Sequence, residues 1–374
     1  MRPERHAALL KKLPIQHEYL TRESGRFERG LYGCSEMVVD GLIQLIEAGI
    51  LTRRVFPSLD LEQRHHAGEA VPGGVILHGG FFLGSRAMYE RLKAMPADQR
   101  ALIDMTRISF VNQLYGQEEL KRSHRQKARF INPAMMMTLN GAATSDGLED
   151  GRVVSGVGGQ YNFVAMAHEL EGARSILAIR ATREDEGVRV SNILWSYGYC
   201  TIPRHLRDIV VSEYGIADLR GKTDRECVMA MLNIADSRFQ ATLLGEAKRV
   251  GKIEAQYEIP PRWRDNYPSR LERELGGATR DGLLPMFPFG TEFTDDELEL
   301  GTALKWLEER TRTRGGSIWS AGSALVSSLR SADATTMRLL ARMQLDQPKN
   351  LQERLYQRLV RYAILQTRSE TSSR

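Results

Sequence analysis

Val153-Val154-Ser155-Gly156-Val157-Gly158-Gly159-Gln160-Tyr161-Asn162-Phe163 leads from a short apolar pair through a glycine-rich turn into a helical-looking run, Phe163 to Leu170. Ser175-Ile176-Leu177-Ala178-Ile179-Arg180 follows, a buried strand by composition. Strand, glycine turn, helix and strand in succession are the units of a sheet covered by helices. Several strand candidates are continuous apolar runs rather than alternations, as expected where both sheet faces are covered.

Working outward, the same alternation continues. Val75-Ile76-Leu77-His78 and Phe81-Phe82-Leu83 are apolar runs, Ser85 through Met95 reads as helix, and Arg107-Ile108-Ser109-Phe110-Val111 as strand. Gln117 through Arg129 reads as a polar helix, and Phe130 through Leu139 as a strand closed by the Asn140-Gly141 turn signal. Val190 to Trp195 and Asp208 to Val211 are further strand candidates. Thr223 is placed to cap a helix through Ile234, and another helix spans Arg238 to Val250. The fold class expected is α/β: an open, mostly parallel sheet flanked by helices, with a helical C-terminal extension. Residues 1–30 read as a polar arm, 31–256 as the main domain and 257–374 as the extension. Ile259-Pro260-Pro261-Arg262-Trp263 cannot continue a helix. Beyond it, Thr294-Asp295-Asp296-Glu297 is a capping box before a helix to about Arg310. Two helices, 333–345 and 350–366, flank Pro348, and a frayed polar tail begins at Thr367.

The chain has 374 residues, 42% hydrophobic and 26% charged, which excludes wholesale disorder. No apolar run reaches the roughly 18–20 residues of a membrane span, and the N-terminus lacks the apolar core of a secretory signal. A cytoplasmic protein with no membrane partner is expected. The net charge of +5 is spread out, and no basic helix with interleaved aromatics points to nucleic acid. The plain reading is a solvated surface; the sharper one is attraction to a phosphate-bearing ligand. Cys34, Cys200 and Cys227 form no CxxC pair, so no metal site and no disulfide framework is expected.

The familiar catalytic templates fail. There is no P-loop, and Tyr161 stands where GxGxxG needs its last glycine. His168-Glu169 lacks a second histidine, and no GxSxG elbow occurs. What remains is a set of glycine-flanked polar turns. After Leu31-Tyr32-Gly33-Cys34-Ser35-Glu36-Met37, the residues Val38, Leu42, Leu45 and Ile46 recur at helical spacing and Gly49 ends the pattern. Ser35 then reads as an N-cap, with Glu36 in the first helical turn. By pattern alone Glu36 is an ordinary partner of the helix dipole, and Gly158-Gly159 a tight turn.

Four ordered stretches between about residues 30 and 250 change that balance. Ser35-Glu36-Met37-Val38-Val39-Asp40-Gly41, with Glu47-Ala48-Gly49, resembles the segment bearing the nucleophilic glutamate of the acetyl-CoA hydrolase/transferase family, which includes 4-hydroxybutyrate and acetate CoA-transferases. Ser155 through Phe163 resembles that family's GxGGQxDF turn, Val210 through Lys222 its TEYGIADLRGK stretch, and Ile234 through Phe239 its IAHPDFR close. The resemblance implies a CoA-transferase-like fold and an enzyme acting on short-chain acyl-CoA. It would work through a glutamyl-CoA thioester at Glu36, with a small carboxylate or water as acceptor, in the sphere of acetate metabolism and without a metal. It assigns the oxyanion hole to Gly158 and Gly159 and orientation of the glutamate to Asn132. Coenzyme A binding falls to Gly156, Gln160, Arg220 and Lys222, the last two alternatively forming a surface ion pair. Asn162 replaces the family's usual Asp, and Met136 stands where many members carry Glu, departures that bear on acceptor preference. Family members also carry an N-terminal half of similar fold. Here it is expected on a separate subunit, or the chain is a piece of a longer protein, or the activity has been lost. A homodimer or a hetero-assembly with such a half is the expected state. The alternatives are a non-catalytic CoA-binding or assembly half, and an unrelated α/β nucleotide-binding protein.

Overall fold

A computed structural model describes residues 30–288, 290–311 and 333–372. The expected arm over 1–30 lies almost wholly outside the described residues. The chain divides into two compact units, Met1–Phe289 and Gly290–Arg374.

In the first unit, β1 (Gly33–Val38) leads to α1 (Asp40–Glu47) and α2 (Leu59–His66), then β2 (Leu77–Phe82), α3 (Arg86–Ala94), α4 (Ala97–Arg100) and β3 (Ile103–Met105). There follow α5 (Ile108–Asn112), α6 (Glu118–His124), β4 (Arg129–Pro133), β5 (Met136–Thr138), β6 (Ala143–Thr144) and α7 (Gln160–Glu169). The remainder is β7 (Arg174–Ala178), β8 (Thr182–Asp185), β9 (Val188–Ser191), β10 (Ile193–Leu194), β11 (Ile209–Ser212), β12 (Gly215–Asp218), α8 (Asp224–Asn233), α9 (Ser237–Arg249) and α10 (Pro268–Arg280).

The α/β class stands, but the strands form four sheets rather than one open sheet. β1, β2 and β3 are all parallel, with Ser35 opposite Gly79 and Met37 opposite Phe81. The larger sheet is ordered β12-β11-β7-β4, with β4, β7 and β11 parallel and β12 antiparallel. β10-β5-β6 is mixed, and β8-β9 is a hairpin. The antiparallel pairs occur where the linkers are short: only Glu213-Tyr214 joins β11 to β12, and a link that short can only turn back.

Several segments resolve differently from their sequence reading. The helix after Gly33 starts at Asp40, not Ser35, so Glu36 lies inside strand β1 and Ser35 caps nothing. The 107–111 run is helix α5, since periodicity does not separate strand from helix over five residues. The 130–139 run breaks after Pro133, which has no N–H to extend a ladder, and its halves join different sheets. The polar segment around His65 contains α2, capped by Ser58. The 117–129 helix is only Glu118–His124. By contrast, Thr223 and Glu226 form a complete capping box.

One core cluster covers β1 and β2 with Val38, Ile43, Leu51, Leu77 and Met88. A second joins the two principal sheets: Val111 of α5, Phe130 of β4 and Phe163 and Met166 of α7 pack together, with Cys34 of β1 against them. The largest lies under α8 and α9. Residues beyond 257 still pack with this unit: Trp263 lies on the largest cluster, and Asn266 Nδ2 donates to the carbonyls of Asn233 (2.8 Å) and Ala235 (2.9 Å).

The second unit contains α11 (Asp295–Thr311), α12 (Ala334–Arg342) and α13 (Leu351–Ser372) around Leu300, Ala303, Leu339, Leu340 and Ile364. Thr294 and Glu297 exchange the bonds of a capping box. The tail expected to fray at Thr367 stays helical to Ser372: Thr367 is buried, and Arg368 pairs with Glu299 at 2.5 Å and Asp333 at 3.0 Å.

Candidate active site

Glu36 leaves β1 on the same face as Cys34, two residues earlier, because alternate strand residues share a face. That face meets α5, α7 and the core between the two main sheets. The Glu36 carboxylate is held at both oxygens. The backbone N–H of Gly159 donates to Oε2 at 3.0 Å, and Asn112 Nδ2 donates to Oε1 at 2.8 Å. Gly159 is the N-cap of α7, where backbone N–H groups have no partner within the helix. Gly158 has φ +55°, a conformation that favours glycine. A Cβ on Gly159 would run into the Glu36 carboxylate, and one on Gly158 would lie 3.3 Å from Oε2. The double glycine is therefore what lets the carboxylate reach the helix end.

Asn132 lies in β4 opposite Leu177 of β7. It makes no hydrogen bond to Glu36, and its Nδ2 is buried with no partner. Asn112 holds the carboxylate in its place. Sequence reading missed Asn112 because it closes the apolar run Ile108–Val111 read as a strand; its only signal was a lone amide ending that run. Gln160 does not reach outward either: its Nε2 donates to the Pro133 carbonyl at 2.7 Å, tying α7 to the end of β4, while Oε1 is buried and unpartnered. Gly156 is exposed in the preceding loop, with nothing within 4 Å of its Cβ position.

Arg220 and Lys222 are elsewhere. Arg220 donates to Asp208 at 2.5 Å and to the carbonyls of Ala173 (2.8 Å) and Ala167 (3.2 Å). Ala167 is near the C-terminal end of α7, the end opposite Gly159, and a ten-residue helix is ~15 Å long. Arg174 joins the same Asp208 and adds Asp218, so Arg220 is a member of a structural ion network at the start of the parallel strands. Lys222, two residues on, is exposed, and its carbonyl accepts from Arg207 at 2.7 Å. The expected coenzyme role for this pair is thus not supported by position.

Opposite Cys34 in the β1–β2 ladder, buried His78 is the centre of a polar row. Tyr32 donates its hydroxyl to His78 Nδ1 (2.7 Å), while His78 Nε2 faces Asp104 (3.3 Å). Burial, the leading cause, pushes His78 down to about 4; Asp104 opposes it, and His124 and Arg125 reinforce it. Burial also raises the Cys34 thiol, with Arg125 opposing, so Cys34 stays a protonated packing group. Among the described residues no group of three or more His, Cys, Asp or Glu side chains is arranged to hold a metal, and no helix is long and apolar enough to cross a membrane.

With this geometry in view, residues 84–247 match the acetyl-CoA hydrolase/transferase C-terminal domain family. The matched span includes Asn112, Asn132 and the Gly156–Gln160 turn and begins downstream of Glu36. The 4-hydroxybutyrate coenzyme A transferase of Clostridium kluyveri is 29% identical over 218 residues, 58% of this chain and 44% of that one. The succinyl-CoA:cyclohexane-1-carboxylate CoA transferase of Geobacter metallireducens is 26% identical over 220 residues, 59% of this chain and 45% of that one. The crystal structure of RipA from Yersinia pestis is similar with a TM-score of 0.47 and 27% identity, covering 61% of this chain and 46% of that chain. The chain thus spans less than half the length of these relatives.

Proposed function

We propose that this protein is an acyl-CoA transferase or hydrolase acting on short-chain, acetyl-CoA-like thioesters through Glu36. One observation carries the reading: a strand-borne carboxylate gripped by the Gly159 N–H and the Asn112 amide, at a double glycine that lets it reach the helix end. Cys34, the other candidate nucleophile on that face, is a partly buried thiol whose pKa desolvation pushes up, which keeps it protonated.

The chemistry balances without redox change. A Glu36 oxygen attacks the thioester carbonyl; the C–S bond breaks, giving a mixed anhydride and CoA thiolate. The thiolate attacks the glutamyl carbonyl, releasing the first carboxylate and leaving a glutamyl-CoA thioester. An acceptor carboxylate reverses the two steps, and water in its place yields free CoA and the restored Glu36. When the glutamyl carbonyl is attacked, negative charge develops on a Glu36 oxygen, where Gly159 N–H and Asn112 Nδ2 already point. Pre-aimed donors of this kind are worth about 10²–10³ in rate each. Asn132 Nδ2, buried and unpartnered, is a further donor available to a substrate oxygen.

Coenzyme A is substrate here, and no metal takes part in these steps. The acetyl-type substrate is carried over from the matching domain family, which is described by acetyl-CoA. A cytoplasmic setting is supported by three free cysteines. A second reading is a CoA-binding or assembly half that acts only beside an N-terminal-type half or as a homodimer. Incubation with acetyl-CoA followed by hydroxylamine or borohydride, then peptide mapping, separates them. Modification of Glu36 in the chain alone supports the first; modification only after the other half is added supports the second; none in the complete assembly defeats both.

A further inference from the structure

α5 is five residues long, too short to hold itself together, yet it carries the amide that grips Glu36. Its last carbonyls, and those just beyond, would be orphaned. They are met by two cations from the α6 region. Lys121 is fully buried, and its Nζ donates to the carbonyls of Ser109 (3.3 Å), Gln113 (2.9 Å) and Tyr115 (2.7 Å), using all three ammonium hydrogens. Arg125, also buried, donates to the carbonyls of Phe110 (2.5 Å) and Gln113 (3.4 Å). The same guanidinium touches Met166 Sδ of α7 at 3.1 Å and Cys34 Sγ of β1 at 3.8 Å. Neither cation is ion-paired with a carboxylate among the described residues. Burying two charges is costly, and the bonds from these charged donors offset that in part, Arg125 Nε being left buried without a partner. Here the return is the fixed backbone on both sides of Asn112.

We infer that Lys121 and Arg125 are positioning residues for the site: Lys121 clamps the α5 turn so that Asn112 meets Glu36, and Arg125 ties β1, α5 and α7 into one frame. The link to turnover rests on the Glu36 reading; the clamp itself does not.

The test uses the full chain and the variants Lys121→Met, Asn112→Ala, their double variant, and Arg125→Lys, which keeps the charge but loses one arm. Hydrogen exchange followed by mass spectrometry reads the clamp directly. Residues 107–116 should exchange roughly tenfold faster in Lys121→Met, with β7 and α8 peptides unchanged. Adduct formation at Glu36 should slow on the order of ten- to a hundredfold without a change in KM. The double variant should be no slower than Asn112→Ala, because both act through one contact. Unchanged exchange at 107–116 in the folded variants, acceleration spread evenly over the unit, or multiplicative losses in the double variant would overturn the clamp. If Lys121→Met does not fold, Arg125→Lys decides by the same readouts. Absence of adduct in the wild type within the complete assembly sinks the Glu36 reading alone, and exchange still judges the clamp.

Discussion

The two ends of helix α7 are built from similar residues and do opposite things. At its C-terminal end, Arg174, Asp208, Asp218 and Arg220 form a closed ion network that leaves only Arg220 Nε of these charged groups buried without a partner, and Asp208 also accepts from the Ser175 N–H at 2.7 Å. At its N-terminal end, Glu36 is held by two donors, while Asn132 Nδ2, Asn112 Oδ1 and Gln160 Oε1 are left buried without partners. Unmet buried polar groups cost stability, and natural proteins keep few of them, mostly where a ligand or catalytic step uses them. A charged motif residue is therefore informative only once its partners are known. Arg220, which sits in a motif as full as that around Glu36, is spent on the scaffold.

The contrast can be broken most sharply at Glu36. Glu36→Gln keeps the shape and hydrogen-bond reach but removes the nucleophile; thioester turnover in the active assembly should fall on the order of 10⁴-fold or more, with an unchanged melting temperature. Undiminished turnover would remove the basis of the proposed function. Next in size, Gly159→Ala puts a methyl group into the carboxylate, and kcat should drop by about 10²–10³ while the chain folds normally. At the other end of the helix the currency changes. Asp208→Ala strands Arg220 and leaves Arg174 only Asp218, and should cost about 3 kcal/mol in denaturant unfolding of the first unit, with kcat nearly intact in the folded fraction.

His78 supplies a pH test on the site side. Its folded value of about 4 lies below the ordinary 6.5, so the unfolded chain takes up the proton first as pH falls. Stability contributed by the neutral imidazole is fully present above 6.5, is lost between 6.5 and 4, and then levels off. Up to about 3 kcal/mol is at stake, and urea titrations of wild type and His78→Gln across that range should converge toward acid pH. The smallest effect belongs to Lys222→Ala: KM for acyl-CoA should move less than about threefold, as for an exposed surface charge. A tenfold rise would return Lys222 to the coenzyme site.

Much of the scaffold was readable from local patterns. Thr223 and Thr294 announced their helices through capping chemistry that acts within four residues, and the glycine turn before α7 announced itself in the same way. Glu36 was identified by its motif, though on the wrong element, because Val38, Leu42, Leu45 and Ile46 have helical spacing that begins before the helix does. Asn112 was illegible: its role depends on Glu36, 76 residues earlier, and on Lys121 and Arg125 beyond the next turn.

The amino-acid order alone determined the α/β class, the helix starts at Thr223 and Thr294, and the presence of a carboxylate and a double glycine, since each depends on neighbours in the chain. Only the tertiary structure decided that Glu36 is on a strand, that Asn112 rather than Asn132 grips it, and that Arg220 faces the scaffold. Those outcomes turn on which buried donors and acceptors meet across distant segments, and no short-range pattern encodes that pairing.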